Sequence, residues 1–252
     1  MRKTLIAAVA AFSVLAITAV AVAQNPAPVV NVTAKLKPSK AGTKKKPKSA
    51  TLSLDISNSE ASKTSAKRIE IDTPKTLKLD TKGLKTCAAS VLASQGPSAC
   101  PAKSKAGVGE AVANLNPDNP AKLYFAVTTF VTGKNKLAFF LQQSDKPKSQ
   151  GGQVLDSGVQ QALPSSIKKT SKGQRVTINI PANLQQPAPG TYSALLSITN
   201  TLGLKDGKHA LLTSVGCKNK KHKIGVTISY VPNPNPPAKS KVSATDGAPC
   251  SK

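Results

Sequence analysis

Apolar and polar residues alternate with a period of two along most of this chain. Val30, Val32, Ala34 and Leu36 alternate with Asn31, Thr33, Lys35 and Lys37. Ala50, Leu52, Leu54 and Ile56 alternate with Thr51, Ser53, Asp55 and Ser57. The pattern recurs at Ile69–Ile71, Leu77–Leu79, Val176–Ile180, Tyr192–Ile198 and Ile224–Tyr230. Successive side chains of a strand point to opposite faces, so each run predicts a strand with one face on a core and the other in water. Lys122–Val131 and Leu137–Leu141 differ in being apolar at both parities. They predict central strands joined by a hairpin through Gly133, Lys134 and Asn135. Phe125, Phe130, Phe139 and Phe140 fall in these two runs and read as core packing rather than a ligand site.

Turn chemistry separates the runs: Lys37-Pro38, Asn116-Pro117, Lys146-Pro147, Pro189-Gly190 and Asp206-Gly207. Helix is scarce, with a turn or two expected near Ala88–Ala93 and around Ser157–Leu163. Many short punctuated strands predict an all-β chain built as an antiparallel, immunoglobulin-like β-sandwich. A soft boundary near Asn116–Pro120 divides it into units at 24–116 and 117–231, although one large sandwich fits nearly as well. Residues 232–252 read as a Pro-rich extended tail pinned by Cys250.

The N-terminus changes the compartment. Met1-Arg2-Lys3 precedes an apolar run from Leu5 to Val22 that ends Ala21-Val22-Ala23 before Gln24-Asn25-Pro26. A positive start, an apolar stretch and a small-x-small motif make residues 1–23 a signal peptide cut after Ala23. The alternative is an uncleaved anchor tethering a surface protein, since the run nearly matches a bilayer's thickness. No later segment is apolar enough to span, so the mature form has no membrane span. The expected location is secreted, in contact with the cell wall or free. Cys87, Cys100, Cys217 and Cys250 are an even set, which in an exported chain reads as two disulfides. Three connectivities are open. Closeness in sequence favours Cys87–Cys100 and Cys217–Cys250.

The formal net charge is +25, and cleavage removes only Arg2 and Lys3 from the basic side. Beyond the leader the basic residues are Lys except for Arg68 and Arg175. Lysine is a hydrated point charge rather than a planar fork, so the pattern suits diffuse attraction to polyanions more than specific reading. Lysines concentrate at Lys44, Lys45, Lys46 and Lys48, at Lys168, Lys169 and Lys172, and at Lys218, Lys220, Lys221 and Lys223. The first and third groups are the candidate contacts for an anionic cell-wall or surface polymer. A solvated surface that guards sheet edges is the plainer reading. A dedicated nucleic-acid partner is disfavoured, because aromatics do not interleave with the lysines.

No motif carries catalysis. There is no Gly-x-Ser-x-Gly elbow, no His-Glu-x-x-His and no phosphate-binding Gly loop. His209 follows the Asp206-Gly207-Lys208 turn, and His222 lies among lysines that predict an exposed ring whose charged form is disfavoured. Asp72 and Asp80 bracket a strand without marking a catalytic pair, and Glu110 reads as a solvent-facing or Lys-paired strand residue. Neither the cysteine spacing nor Asn116-Pro117-Asp118-Asn119 fits a metal loop. The expectation is a non-enzymatic protein with no cofactor. The alternative is an extracellular enzyme acting on a surface polymer.

Three motifs carry a resemblance. Thr86-Cys87 is followed by Gly96-Pro97-Ser98-Ala99-Cys100-Pro101 and then Lys103–Gly109. Ile180-Pro181-Ala182-Asn183 runs to Gly190-Thr191-Tyr192. Gly216-Cys217 precedes a Lys-rich strand, and the chain closes on Pro249-Cys250. Together they resemble a family of secreted actinobacterial proteins with no assigned activity. The resemblance implies export, β architecture and cysteine pairing, and transfers no functional residue.

Overall fold

The computed structural model describes residues 27–59, 64–115, 121–144, 158–231 and 239–252. The expected leader 1–23 with its cut after Ala23, the 116–120 boundary and the Pro-rich stretch 232–237 lie outside these residues. The strands, in chain order, are β1 (Val30–Lys37), β2 (Lys48–Ser49), β3 (Thr51–Asn58), β4 (Ala66–Pro74), β5 (Leu77–Leu79), β6 (Lys105–Leu115), β7 (Ala121–Gly133) and β8 (Lys136–Gln143). There follow β9 (Gln160–Lys169), β10 (Gly173–Asn179), β11 (Ser193–Leu202), β12 (Lys205–Asp206), β13 (His209–Ala210), β14 (Leu212–Ser214), β15 (Lys221–Tyr230) and β16 (Lys241–Pro249). The helices are α1 (Ala89–Gln95) and α2 (Ala182–Gln185).

The all-β expectation holds, but the sandwich is not borne out. One eleven-stranded antiparallel sheet runs β1-β3-β11-β6-β7-β8-β9-β10-β4-β15-β16 and curls until its ends nearly meet as a barrel. Period-two alternation is common to sandwiches and barrels, so it leaves the choice open. Eleven is odd and neighbours alternate in direction, so β1 and β16 run the same way. Their extensions meet in a parallel bridge at Lys40 and Ser251. Ser251 N donates to Ser39 O at 3.0 Å, and Ala41 N donates to Ser251 O at 2.8 Å. Midway along the seam, Ala34 N donates to Asp246 Oδ2 at 2.7 Å. β16 is a strand the sequence reading missed; it pairs with β15 from Lys221–Pro249 to Ser229–Lys241.

With β1 pointing upward, the register places the turns β7–β8 and β9–β10 and the long insertions 38–50, 75–104 and 203–220 at the upper end. The lower end holds the β10–β11 connection with α2. A second sheet, β2-β14-β5, sits at the upper end. Its Leu77, Leu79 and Leu212, with neighbouring Leu211 and Leu84, belong to the same buried cluster as the barrel's inner face. Gln174 of β10 clips this plug in place. Its Oε1 accepts from Leu79 N at 2.7 Å and its Nε2 donates to Leu79 O at 2.9 Å.

The expected hairpin forms through Gly133, Lys134 and Asn135, with Asn135 in the left-handed region at φ 55°. Register divides the aromatic cluster. Phe125 and Phe139 join the inner core, whereas Phe130 and Phe140 face outward into a second cluster with Cys87 and Leu92 of α1. That explains why these runs are apolar at both parities: α1 covers the outside of β7–β8. The helix near Ala88 is therefore present, but none of the described residues in the expected stretch, 158–163, is helical. Gln160–Leu163 opens β9, where Leu163 faces the core opposite Phe139.

Cys87 is bonded to Cys100 and Cys217 to Cys250, the pairing that sequence proximity favours. The first staples the α1 layer to itself, and the second ties the top of β16 to the entry of β15 beside the seam. In the chain-entropy model, closing loops with sequence separations of 13 and 33 is worth about 2.9 and 3.7 kcal/mol. Replacing Cys217 and Cys250 together by Ser is expected to lower the urea midpoint more than replacing Cys87 and Cys100, and to raise amide exchange along β16 and β1 selectively. Equal loss of protection in every strand would contradict a seam-specific role.

Candidate functional site

An eight-stranded barrel is just narrow enough for its own side chains to fill. Eleven strands leave room. The plug occupies the upper part; below it an apolar cavity of about 460 Å³ remains. Its wall comes from strands running from β3 round to β4, with Ile56, Ile69, Ala113, Phe125, Phe139 and Ile178 among the lining residues. Ala111 and Ala113 of β6 contribute to the space by their small size. The lining reaches the lower rim at Leu115, Leu141 and Val159.

Part of that rim is roofed by α2. Leu184, Asn183 and Pro187 line the cavity from this side. A four-residue helix has little stability of its own, so its position depends on tertiary clips. Asn183 and Gln161 of β9 form a reciprocal amide pair, Nδ2 to Oε1 at 3.1 Å and Nε2 to Oδ1 at 3.4 Å. Ser65 Oγ donates to Gln185 O at 3.0 Å, and Ser193 Oγ donates to Leu184 O. Gly190, in the left-handed region at φ 74°, turns the chain into β11. The motif running from Ile180 to Tyr192 thus contains a helical turn over the cavity that the sequence does not predict. The only prior signal was an apolar Leu184 isolated among Asn, Gln and Pro.

The residues singled out from sequence land elsewhere. Asp72 lies on the outer wall, where Arg175 grips it through Nε and Nη2 at 2.7 and 2.8 Å and reaches Glu70 at 3.2 Å. The Asp72 carboxylate, ahead of Glu70, raises the Arg175 pKa. Asp80 pairs with Lys78 at 2.8 Å beside the plug. Glu110 is exposed on β6. His209 is half-buried in the β12–β13 hairpin, with its ring against Gly83, where a Cβ would meet it at 2.5 Å. Among the described residues, no three His, Cys, Asp or Glu side chains gather as a metal site requires. No helix of the described residues is long and apolar enough to cross a membrane.

His222 is a correction. It is 0% exposed rather than displayed among the lysines. It shares its parity on β15 with Ile224, Val226 and Ile228, which are core residues, while Lys221 and Lys223 take the other face. The lysines flanking it in sequence are thus on the opposite side of the strand. Nδ1 lies 2.8 Å from Thr76 Oγ1, and Nε2 has no hydrogen-bond partner among the described residues. Burial lowers its pKa below the ordinary 6.5. Tyr230, buried at the lower end of the same face, is pushed upward by burial, with Asn58 beside it acting in the opposite sense.

The lysine groups are all exposed, and the fold brings two of them together. Lys48 pairs with Ser214, and Cys250 N donates to Lys220 O at 2.8 Å, so the Lys44–Lys46 loop and the Lys218–Lys221 turn share the upper end. No family model matches the chain, and the comparisons with curated proteins and with solved structures find none similar to it.

Two outcomes follow from this geometry. Because the unfolded chain protonates His222 at a higher pH than the folded chain does, stability should be flat above pH 6.5 and fall as pH drops below it. Urea unfolding at pH 7.5 and 5.5 reads this slope, which a His222→Gln variant should flatten. Separately, Gln161→Ala frees α2 from β9. Amide exchange in 182–186 should rise at least tenfold while that of β9 is unchanged; protection equal to that of the parent chain would mean the amide pair does not hold the roof.

Proposed function

We propose that this is a non-catalytic binding protein of the cell exterior whose barrel interior takes the hydrocarbon chain of an amphiphile. The observation that carries the reading is the apolar cavity of about 460 Å³ below the plug. Its size falls in the range of small-molecule sites, which are typically apolar with a few polar groups for orientation. Here those groups are Asn183, Ser193 and Asn200. The aliphatic and Phe lining offers few partners for a polar or charged molecule, whereas a flexible acyl chain fits between such walls.

Energetics favour an occupant. At about 24 cal/mol per Å³, a sealed void of this size would cost on the order of 10 kcal/mol, comparable to the whole stability of a domain. Reaching the rim avoids that penalty by admitting water, but water against hydrocarbon is poorly bonded and readily displaced. The outer wall presents polar residues such as Asn31, Lys35 and Asp55, the reverse of the lipid-facing band of a membrane barrel. Two disulfides are consistent with an oxidising exterior compartment.

The test is titration of the mature chain with saturated fatty acids of increasing length. Affinity should rise about fourfold per methylene, as about 0.8 kcal/mol of burial each implies, until the cavity is full. Ala113→Phe fills the lumen from its wall and should abolish binding while leaving the circular-dichroism spectrum unchanged. Affinity independent of chain length, or unaffected by Ala113→Phe, would refute the reading.

A further inference from the structure

Exposed lysines cluster at the upper end of the barrel. The upper connections carry Lys44–Lys46, Lys168–Lys172 and Lys218–Lys221, all with exposed lysines. The acids described in these connections are Asp80 and Asp206, and each is already paired, with Lys78 at 2.8 Å and with Lys103 at 3.1 Å. The acids Asp55, Glu70, Asp72, Glu110 and Asp246 belong to the strands of the wall.

Two details show that the backbone carrying these exposed lysines is fixed. Thr43 N donates to Lys46 O at 2.9 Å, and Lys46 N donates to Thr43 Oγ1 at 3.0 Å, so Lys44 and Lys45 form the tip of a closed turn. Gly42 seats that turn against the plug, since a Cβ there would lie 2.4 Å from Lys48 N and 2.6 Å from Ser214 O. The second turn has Asn219 and Lys220 both in the left-handed region, at φ 53° and 57°. Two-residue turns of this form favour Gly at the second place, and a lysine there is conformationally costly. Like charges carried on neighbouring positions repel, and a bound polyanion would relieve that repulsion.

We propose that the plugged end is a docking face for a hydrophilic, linear polyanion with repeated phosphate or carboxylate groups, such as an envelope polymer offers. Lysine ammonium groups bind such a chain as point charges, with weak demand on geometry. The absence of apolar side chains favours a polymer over a lipid surface. Among the described residues the exposed large hydrophobics are Val29 and Val108, and neither lies in these turns. Docking by this end leaves the lower rim free, so the face does not depend on the lumen reading.

The test uses the mature protein and linear polyphosphate, with polyglutamate as the carboxylate arm. One variant combines Lys44→Gln, Lys45→Gln, Lys46→Gln and Lys220→Gly. The last change relieves the turn, so lost binding cannot be blamed on a weakened fold. A control removes as many charges elsewhere: Lys67→Gln, Lys122→Gln, Lys239→Gln and Lys241→Gln. At 0.1 M salt the first variant should bind polyphosphate at least tenfold more weakly, with a salt slope reduced by about 3 if each lysine meets one phosphate. The control should stay within twofold. Equal weakening of both would mean diffuse net charge only, and no binding by the parent at 0.05 M salt would overturn the face altogether. Anionic vesicles form a third arm. Binding to them that survives excess polyphosphate would assign the face to a lipid surface and refute the polymer. Fatty-acid titration of the same variants should match the parent, which separates failure of this face from failure of the lumen reading.

Discussion

The edges of β1 and β16 have to be satisfied against each other, because the sheet supplies no further strand for either. A regular antiparallel ladder cannot join them, since an odd strand number leaves the two parallel. The seam is held by other means: a main-chain bridge at Ser39–Ala41 and Ser251, and the Asp246 carboxylate on Ala34 N. The Cys217–Cys250 crosslink fixes the end of β16 where that bridge forms. If the seam opened, the inner face would be exposed along its length and the plug would lose its enclosure. Small residues suit the join. Ala34 in the inner core and the partly buried Ala244 packed against it lie on the two seam strands, where larger side chains would crowd the closely approaching walls.

Closure also decides where space remains. The plug residues Leu77, Leu79, Leu211 and Leu212 share a core with Ile224, Leu137 and Ile167 near the upper ends of their strands, and all are buried. Below, α2 offers Leu184 and little else, and the wall includes Ala111 and Ala113 where bulkier residues would take up part of the space. The cavity is therefore a consequence of strand number and of small residues on β6, with no cluster of ionisable groups required to form it. The buried titratable groups His222, Tyr230 and Glu70 lie outside its lining.

Much of the strand layout was legible because alternation is enforced residue by residue. Leu52, Leu54 and Ile56 have no other way to bury one face. What alternation does not carry is the identity of the neighbour. β3 pairs with β11, some 140 residues later, through a register that Ser57 and Ser197 do nothing to advertise. β16 is hard to see in the sequence because Ala244 and Ala248 are too small to stand out as an apolar face. His222 was misplaced for a related reason: charge was averaged along the chain, whereas a strand sends adjacent side chains to opposite sides. The double-parity runs around Phe130 and Phe140 did signal burial on both faces, but only the structure shows that α1 and a disulfide supply the outer cover.

The two ends of the barrel follow from the same asymmetry. Long insertions at the upper end fold inward as a sheet and leave their turns outside, and those turns are where lysine accumulates. A charged turn costs little when its backbone is bonded and its side chains reach water. A charged lumen would cost far more, because an unpaired ion loses its hydration among Phe and Ile. Sequence selection therefore has freedom to load the plugged end with charge while the lower interior stays apolar. One molecule then presents an electrostatic surface and a hydrocarbon-like interior with the packed plug between them. The two chemistries respond to different variables, the first weakening with added salt and the second with cooling.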